Sequence, residues 1–332
     1  MGTGRSVNEE LVELGDLDEL VRHIDRLCRA TDWDGLLDLR NRCRTALERG
    51  RQLWPAASHA EYRLALEAPG PIAARMVVPG AGHLSLGPLT EVVASTHRWE
   101  ELADHLPDGP TRAVTAHERV VRGEDLTGDD RIDRHVIDLP LALQPWEPRY
   151  PVAEYLAHEA HFPPPPLPDR HPVVLPAPSL AVERIEDPET IHALAELTRA
   201  WTAESNGRSE VVAVRGDARC AIAALGPPRA RLAELSGAEA LAWMAWAAAS
   251  GGAHGRRRGM ARGRFDAWWA LASMAGLVED WPLPPDELGA AAAELRWFAW
   301  DAWEPETGWR FHLAVEDPLE DLAWAVAATD AA

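Results

Sequence analysis

Apolar positions in the first part of the chain recur every three to four residues. Leu17, Leu20, Val21, Ile24 and Leu27 follow a period of 3.6 behind Asp16, a residue type that caps helix N-termini, and this predicts a helix over the segment. Trp33, Leu36, Leu37, Leu39, Cys43 and Leu47 predict a second helix from about Asp32 to Glu48, with Gly50 where a left-handed terminating residue is favoured. The pattern then recurs. TDWDGLL at Thr31 to Leu37 resembles THRWEELA at Thr96 to Ala103, and TALERG at Thr45 to Gly50 resembles TAHERVVRG at Thr115 to Gly123. Such self-similarity predicts a duplicated multi-helix unit, in which each copy buries its apolar face against its neighbour.

The periodicity breaks between about Leu139 and Pro178, where QPWEPRYP, HFPPPPLPDRHP and LPAP place prolines that forbid continuous helix. This reads as a linker or an irregular wrap. Beyond it the periods mix. Pro188 to Ala203 reads as a helix capped by Asp187, and Val211–Arg215 with Cys220–Leu225 as a hairpin around Gly216 and Asp217. Ser236 and Glu239 form a capping box for a helix carrying Leu241, Trp243, Met244 and Trp246. RFDAWWALASMAGL reads as a buried helix, LRWFAWD and GWRFHLAVED as two strands around a turn at Glu304 to Gly308, and Pro318 to Ala328 as a closing helix. The expected fold is mainly α, with a helical-repeat-like, α-solenoid-like N-terminal half and a smaller α+β C-terminal half containing a short antiparallel sheet. The expected divisions are 1–135, a proline-rich 136–180, and 181–332.

Charge narrows the function. The chain has a formal net charge of −20 and a pI near 5.0, so a nucleic-acid partner is not expected. It contains no lysine: all 33 basic residues are arginine. That excludes a pyridoxal phosphate Schiff base, a lysine general base and the P-loop lysine, because arginine cannot be deprotonated in their place. Cys28, Cys43 and Cys220 form no CxxC pair, and three separated thiols predict a reducing cytoplasm. No apolar run reaches about 18 residues, so no membrane span is expected.

Within this acidic chain, GGAHGRRRGMARGR at Gly251 to Arg264 places five arginines among nine residues. Glycine leaves backbone amides accessible, guanidinium forks match carboxylate and phosphate, and a helix starting near Gly259 adds a positive dipole end. Arg256, Arg257, Arg258, Arg262 and Arg264 are therefore the anion-binding candidates, with His254 as the nearby group able to exchange protons near neutral pH. The same arginines can instead pair with carboxylates of their own fold. His158 and His161, in HEAH, stand three apart and could share a helix face around a metal, but they lack the i, i+4 spacing of a zinc protease helix. No metal and no cofactor is expected, and no catalytic residue can be named. Fifteen tryptophans read mainly as core, with Trp297, Trp300, Trp303 and Trp309 grouped closely enough around one hairpin to leave room for a pocket.

The arginine loop, AWW at Ala267 to Trp269 and GWRFHLAVEDP at Gly308 to Pro318 resemble an uncharacterised protein family of GC-rich bacteria, over most of the chain. The resemblance implies no activity, substrate or cofactor. The expected function is a non-enzymatic protein-interaction or scaffold module, since no set of nucleophile, base and orienting group is evident. The alternative is an enzyme or binding protein for a phosphorylated or anionic small molecule at the arginine loop. The expected partner is a protein, then an anionic small molecule.

Overall fold

A computed structural model describes residues 6–176, 182–304 and 307–331. The end of the proline-rich stretch and the centre of the 304–308 turn lie outside the described residues. Among the described residues there are fourteen α-helices, a seven-stranded sheet and a two-stranded one, so the chain is mainly α with sheet content. None of these helices is long and apolar enough to cross a membrane. The chain divides into two compact units. Unit 1 comprises the residues through Arg119, Gly128–Val136 and Ala153–His161, and unit 2 comprises Val120–Thr127, Ile137–Val152 and the chain from Phe162 onward.

Unit 1 contains α1 (Val7–Leu14), α2 (Leu17–Arg29), α3 (Trp33–Glu48), α4 (Trp54–Glu67), α5 (Gly70–Ala73), α6 (Leu89–Thr96), α7 (Trp99–Leu102) and most of α8 (Pro110–Val120). The predicted caps form: Asp16 accepts from the amides of Asp18 and Glu19, Asp32 from that of Gly35, and Gly50 is left-handed. Helix α4 is the centre of the unit, packed by α2, α3 and α6. Its Glu61 is wholly buried, which is tolerable because Arg40 and Arg44 bond it at 2.8 and 2.6 Å. Of the two segments that resemble each other in sequence, the first is one continuous helix, α3. The second forms α7, a turn and α8, because Pro107, Gly109 and Pro110 interrupt it. The unit also holds a hairpin, β1 (Glu154–Tyr155) with β2 (Ala160–His161), tied to α6 by a 2.7 Å hydrogen bond from Tyr155 to Glu91.

Unit 2 contains β3 (His171–Val173), α9 (Pro188–Glu196), α10 (Arg199–Ala203), β4 (Arg208–Arg215), α11 (Ala218–Ala224), β5 (Ala230–Leu235), α12 (Gly237–Ala249), α13 (Met260–Met274), α14 (Pro285–Glu294), β6 (Arg296–Asp301), β7 (Trp309–Phe311), β8 (Leu313–Asp317) and β9 (Leu322–Asp330). Its sheet is antiparallel throughout, in the order β3-β5-β6-β8-β9-β4, with β7 also against β9. Helix α11 covers one face, where Ile222 packs among Val212, Phe298, Trp300 and Ala325. Trp243 of α12 meets Phe311 of β7 edge-on, with ring centroids 5.0 Å apart.

Two expected elements are corrected here. Cys220–Leu225 is not the return strand of a hairpin: Asp217 caps the amide of Cys220 at 2.9 Å and starts α11. The run is alanine-rich and buries Ala221 and Ile222 on one side, so helix propensity and burial agree. Nor does a helix close the chain. LAWAVAATD forms β9, paired along Arg208–Arg215 on one side and along β7 and β8 on the other. Its alanines favour a helix locally, but strand partners on both sides override that preference, and the small side chains let α11 approach the sheet. The Pro188–Ala203 helix is broken into α9 and α10 at Leu197–Thr198.

Candidate functional site

The arginine loop joins α12 to α13, and the expected helix start near Gly259 is found, with Gly259 at the N-cap. Its arginines do not converge on a common ligand space. Arg264 is fully buried and donates from Nε and Nη2 to the two oxygens of Glu147, both at 2.7 Å, and from Nη1 to the Pro140 carbonyl at 2.9 Å. Arg262 pairs with Asp266 at 2.8 Å and Arg258 reaches the same carboxylate at 3.4 Å. Burial pushes the Asp266 carboxyl up, and these two guanidiniums oppose that push. Arg257 lies over the Phe162 ring, 4.5 Å from its centroid. Arg256 is exposed, with its backbone amide donating to Glu204 at 3.1 Å, while the His254 amide donates to Ser205 at 3.2 Å. Most of the loop's positive charge is thus taken up by carboxylates of its own unit.

A cavity of about 420 Å³ lies next to this region. Phe162, Pro165 and Leu167 form one wall and Trp243, Trp246 and Trp309 another, with Arg170 and Arg310 beside them. Trp246 and Trp309 are stacked at 5.0 Å, and the indole N–H of Trp246 donates to the Phe162 carbonyl at 3.3 Å, which fixes the proline-rich segment against α12. A smaller pocket of about 170 Å³ shares both arginines and Gly308 and adds Thr307. Gly308 is left-handed at φ +69°, and a Cβ there would run into the Asp330 carbonyl oxygen, so no other residue fits this turn.

An ion-pair network adjoins the cavity. Buried Asp301 accepts from Nε and Nη2 of Arg231 at 2.9 and 3.0 Å and from the Trp303 amide at 3.0 Å. Arg170 reaches Asp301 only at 3.4 Å, and its Nε is buried without a hydrogen-bond partner. Asp301 therefore holds two guanidiniums, those of Arg231 and Arg170. His312 stacks on Trp300 at 4.6 Å, and burial, then Arg310 and Arg170, press its imidazole down to about 3. Among the described residues Glu304 is the carboxylate paired with it, at 3.8 Å, beyond hydrogen-bond reach. The arrangement can hold a flat ring between aromatic walls and an anionic group at the two arginines.

Of the four tryptophans grouped in the sequence, Trp309 lines the cavity, while Trp297 and Trp300 are buried in the sheet. Arg170, Arg310 and His312 were not among the candidates, since each stands alone in the sequence. Arg310 and His312 alternate with Trp309 and Phe311 in WRFH, while nothing local marks Arg170.

The histidine pair is not helical. His158 lies in the turn of the β1–β2 hairpin and His161 is the second residue of β2. Pro151 and Pro163 flank so short a stretch that a hairpin replaces the expected helix face. The two histidines have different neighbours: His158 Nε2 is 3.1 Å from Asp25, and His161 Nε2 is 3.7 Å from Glu159.

No curated protein and no solved structure matches the chain. The sequence profile of a family of unknown function, DUF6183, matches residues 18–332, and the protein is a member of that family.

Proposed function

We propose that the protein binds a small anionic molecule carrying a flat ring, in the cavity of unit 2. The observation that carries this reading is Arg170, a guanidinium with a buried, unpartnered Nε at the edge of a cavity walled by three tryptophans. A buried donor without a partner costs about 1–3 kcal/mol, and an anionic ligand relieves that cost. The volume lies within the range of small-molecule sites. Binding is the proposed role: among the described residues His312 has no hydrogen-bonded orienting group, and burial keeps its imidazole neutral. Compared with the sequence-based alternative, the anion moves from the arginine loop to Arg170 and Arg310, with Arg257 nearby over Phe162.

A thermal-shift screen against nucleoside phosphates, aromatic carboxylates and aromatic sulfonates tests it, because a ligand of the native state raises the midpoint. A hit should weaken at least about tenfold in Arg170→Met and in Arg310→Met, the worth of one charge-assisted hydrogen bond. Silence across the panel, or a hit indifferent to both substitutions, would sink the proposal.

A second reading, the protein-interaction module, draws support from unit 1. Val78, Leu84 and Leu86 are exposed on one loop, and Trp54 beside His83 of that loop is also exposed, which makes an apolar surface of the kind protein partners cover. The helical repeat belongs to this reading: Trp33 and Trp99 each stand at the first residue of a helix, α3 and α7. The proposal places the chain in the cytoplasm of a GC-rich bacterium, in keeping with its lysine-free composition and free cysteines.

A further inference from the structure

Unit 1 brings together three groups that the sequence keeps far apart. Asp25 stands on α2, His59 on α4 and His158 in the β1–β2 turn, and one ligand atom of each lies within 4.8 Å of the other two. We infer that Asp25, His59 and His158 form a site for a divalent transition-metal ion, zinc by ligand type. The site is independent of the cavity in unit 2.

Four observations carry it. First, the Nε2 of His59 is buried and has no hydrogen-bond partner, although a buried imidazole nitrogen ordinarily finds one. A metal ion supplies what that nitrogen lacks. Second, the neighbouring donors suit such an ion: two imidazoles and a carboxylate are the ligand types of three-ligand zinc sites, which keep a fourth position for water. Third, local charge favours a cation. Arg63 bonds Asp25, but the same guanidinium grips Glu67 with Nε and Nη2, so two carboxylates share one guanidinium. Fourth, the spacing is close to what coordination needs. A tetrahedral ion with bonds of about 2.0–2.1 Å places its ligand atoms roughly 3.3 Å apart. His158 Nε2 and Asp25 Oδ1 are at 3.1 Å already, and the wider separations close by movement of His158, whose side chain is 53% exposed in its turn.

His161, the other half of the HEAH pair, faces Glu159 and is not part of the set.

The test is calorimetric titration of chelator-treated full-length protein with zinc at neutral pH, with cobalt absorption as a second readout of coordination. The expected result is one ion per chain, with affinity reduced at least about 100-fold in His158→Ala, more than the loss typical of outer-shell partners. His59→Gln and Asp25→Asn should show the same loss, and His161→Ala should bind as the wild type does. Should His59→Gln fail to fold, the exposed His158→Ala keeps the test intact. Failure of the wild type to bind, or a His158→Ala change of only a few fold, or an equal loss in His161→Ala, would overturn the inference.

Discussion

Arg264 and Glu147 face each other through two 2.7 Å hydrogen bonds in the interior of unit 2, with neither side chain exposed. Glu147 also accepts from the Tyr150 hydroxyl at 2.6 Å and from the Trp268 indole at 3.0 Å, so one carboxylate gathers α13 and the 140–150 segment around it. The arginine cluster that stands out in the sequence is thus partly a structural device.

Removing one partner of such a pair leaves the other charge buried and unanswered. Arg264→Ala and Glu147→Ala are each expected to cost about 3–5 kcal/mol, whereas Arg264→Met with Glu147→Leu should recover part of the loss. Recovery stays incomplete because Tyr150 and Trp268 lose their acceptor. Urea unfolding of the three variants checks this, and a single-variant loss below about 1 kcal/mol would show that the pair is not buried as described.

Gly263 predicts a substitution of unusual sign. Replacing a helical glycine by alanine ordinarily stabilises by up to about 1 kcal/mol. In α13 a Cβ at this position would run into the Ala245 carbonyl oxygen of α12, so Gly263→Ala should instead cost about 1–3 kcal/mol as the helices separate. A thermal midpoint equal to or above the wild type would contradict the close packing of α12 on α13.

Acid stability follows from two histidines, one buried and one half-buried. His312 is held down to about 3 and His59 to about 4, against about 6.5 in the unfolded chain. The unfolded state therefore binds more protons once the pH falls below about 6.5, and stability drops from there until the folded groups titrate. Each histidine contributes a slope of up to about 1.4 kcal/mol per pH unit in that window. Above about pH 7 neither contributes. Denaturant unfolding at neutral and mildly acid pH should show this loss, with a smaller slope in His312→Gln; the same slope in that variant would mean that His312 is solvated.

Local signals in the sequence were reliable where the chain's own neighbours decide the structure. Asp16, Asp32, Asp187 and Ser236 all cap the helices they announce, and Gly50 is left-handed as its position suggested. One strand decided by its partners was not legible. Leu322–Asp330 is alanine-rich and becomes a strand only between β4 and its partners on the other side. The groups proposed as sites were hidden for the same reason. Arg170 and Arg310 meet at one cavity from opposite ends of unit 2, and His158 meets Asp25 and His59 across most of unit 1. No spacing rule reaches over such separations, whereas the arginine cluster announced a site through proximity in sequence and then largely paired with Glu147 and Asp266.

The central claim is that the cavity of unit 2 takes an aromatic anion, and the most direct measurement is a fluorescence titration with anilinonaphthalene sulfonate, an aromatic anion, beside its uncharged parent amine. Trp246 and Trp309 should transfer excitation to the bound probe. The account predicts saturable binding of the sulfonate to the native protein, at least about tenfold tighter than the amine, with that preference abolished in Arg170→Met with Arg310→Met. Equal binding of the two probes, or a preference that survives the double substitution, would contradict it.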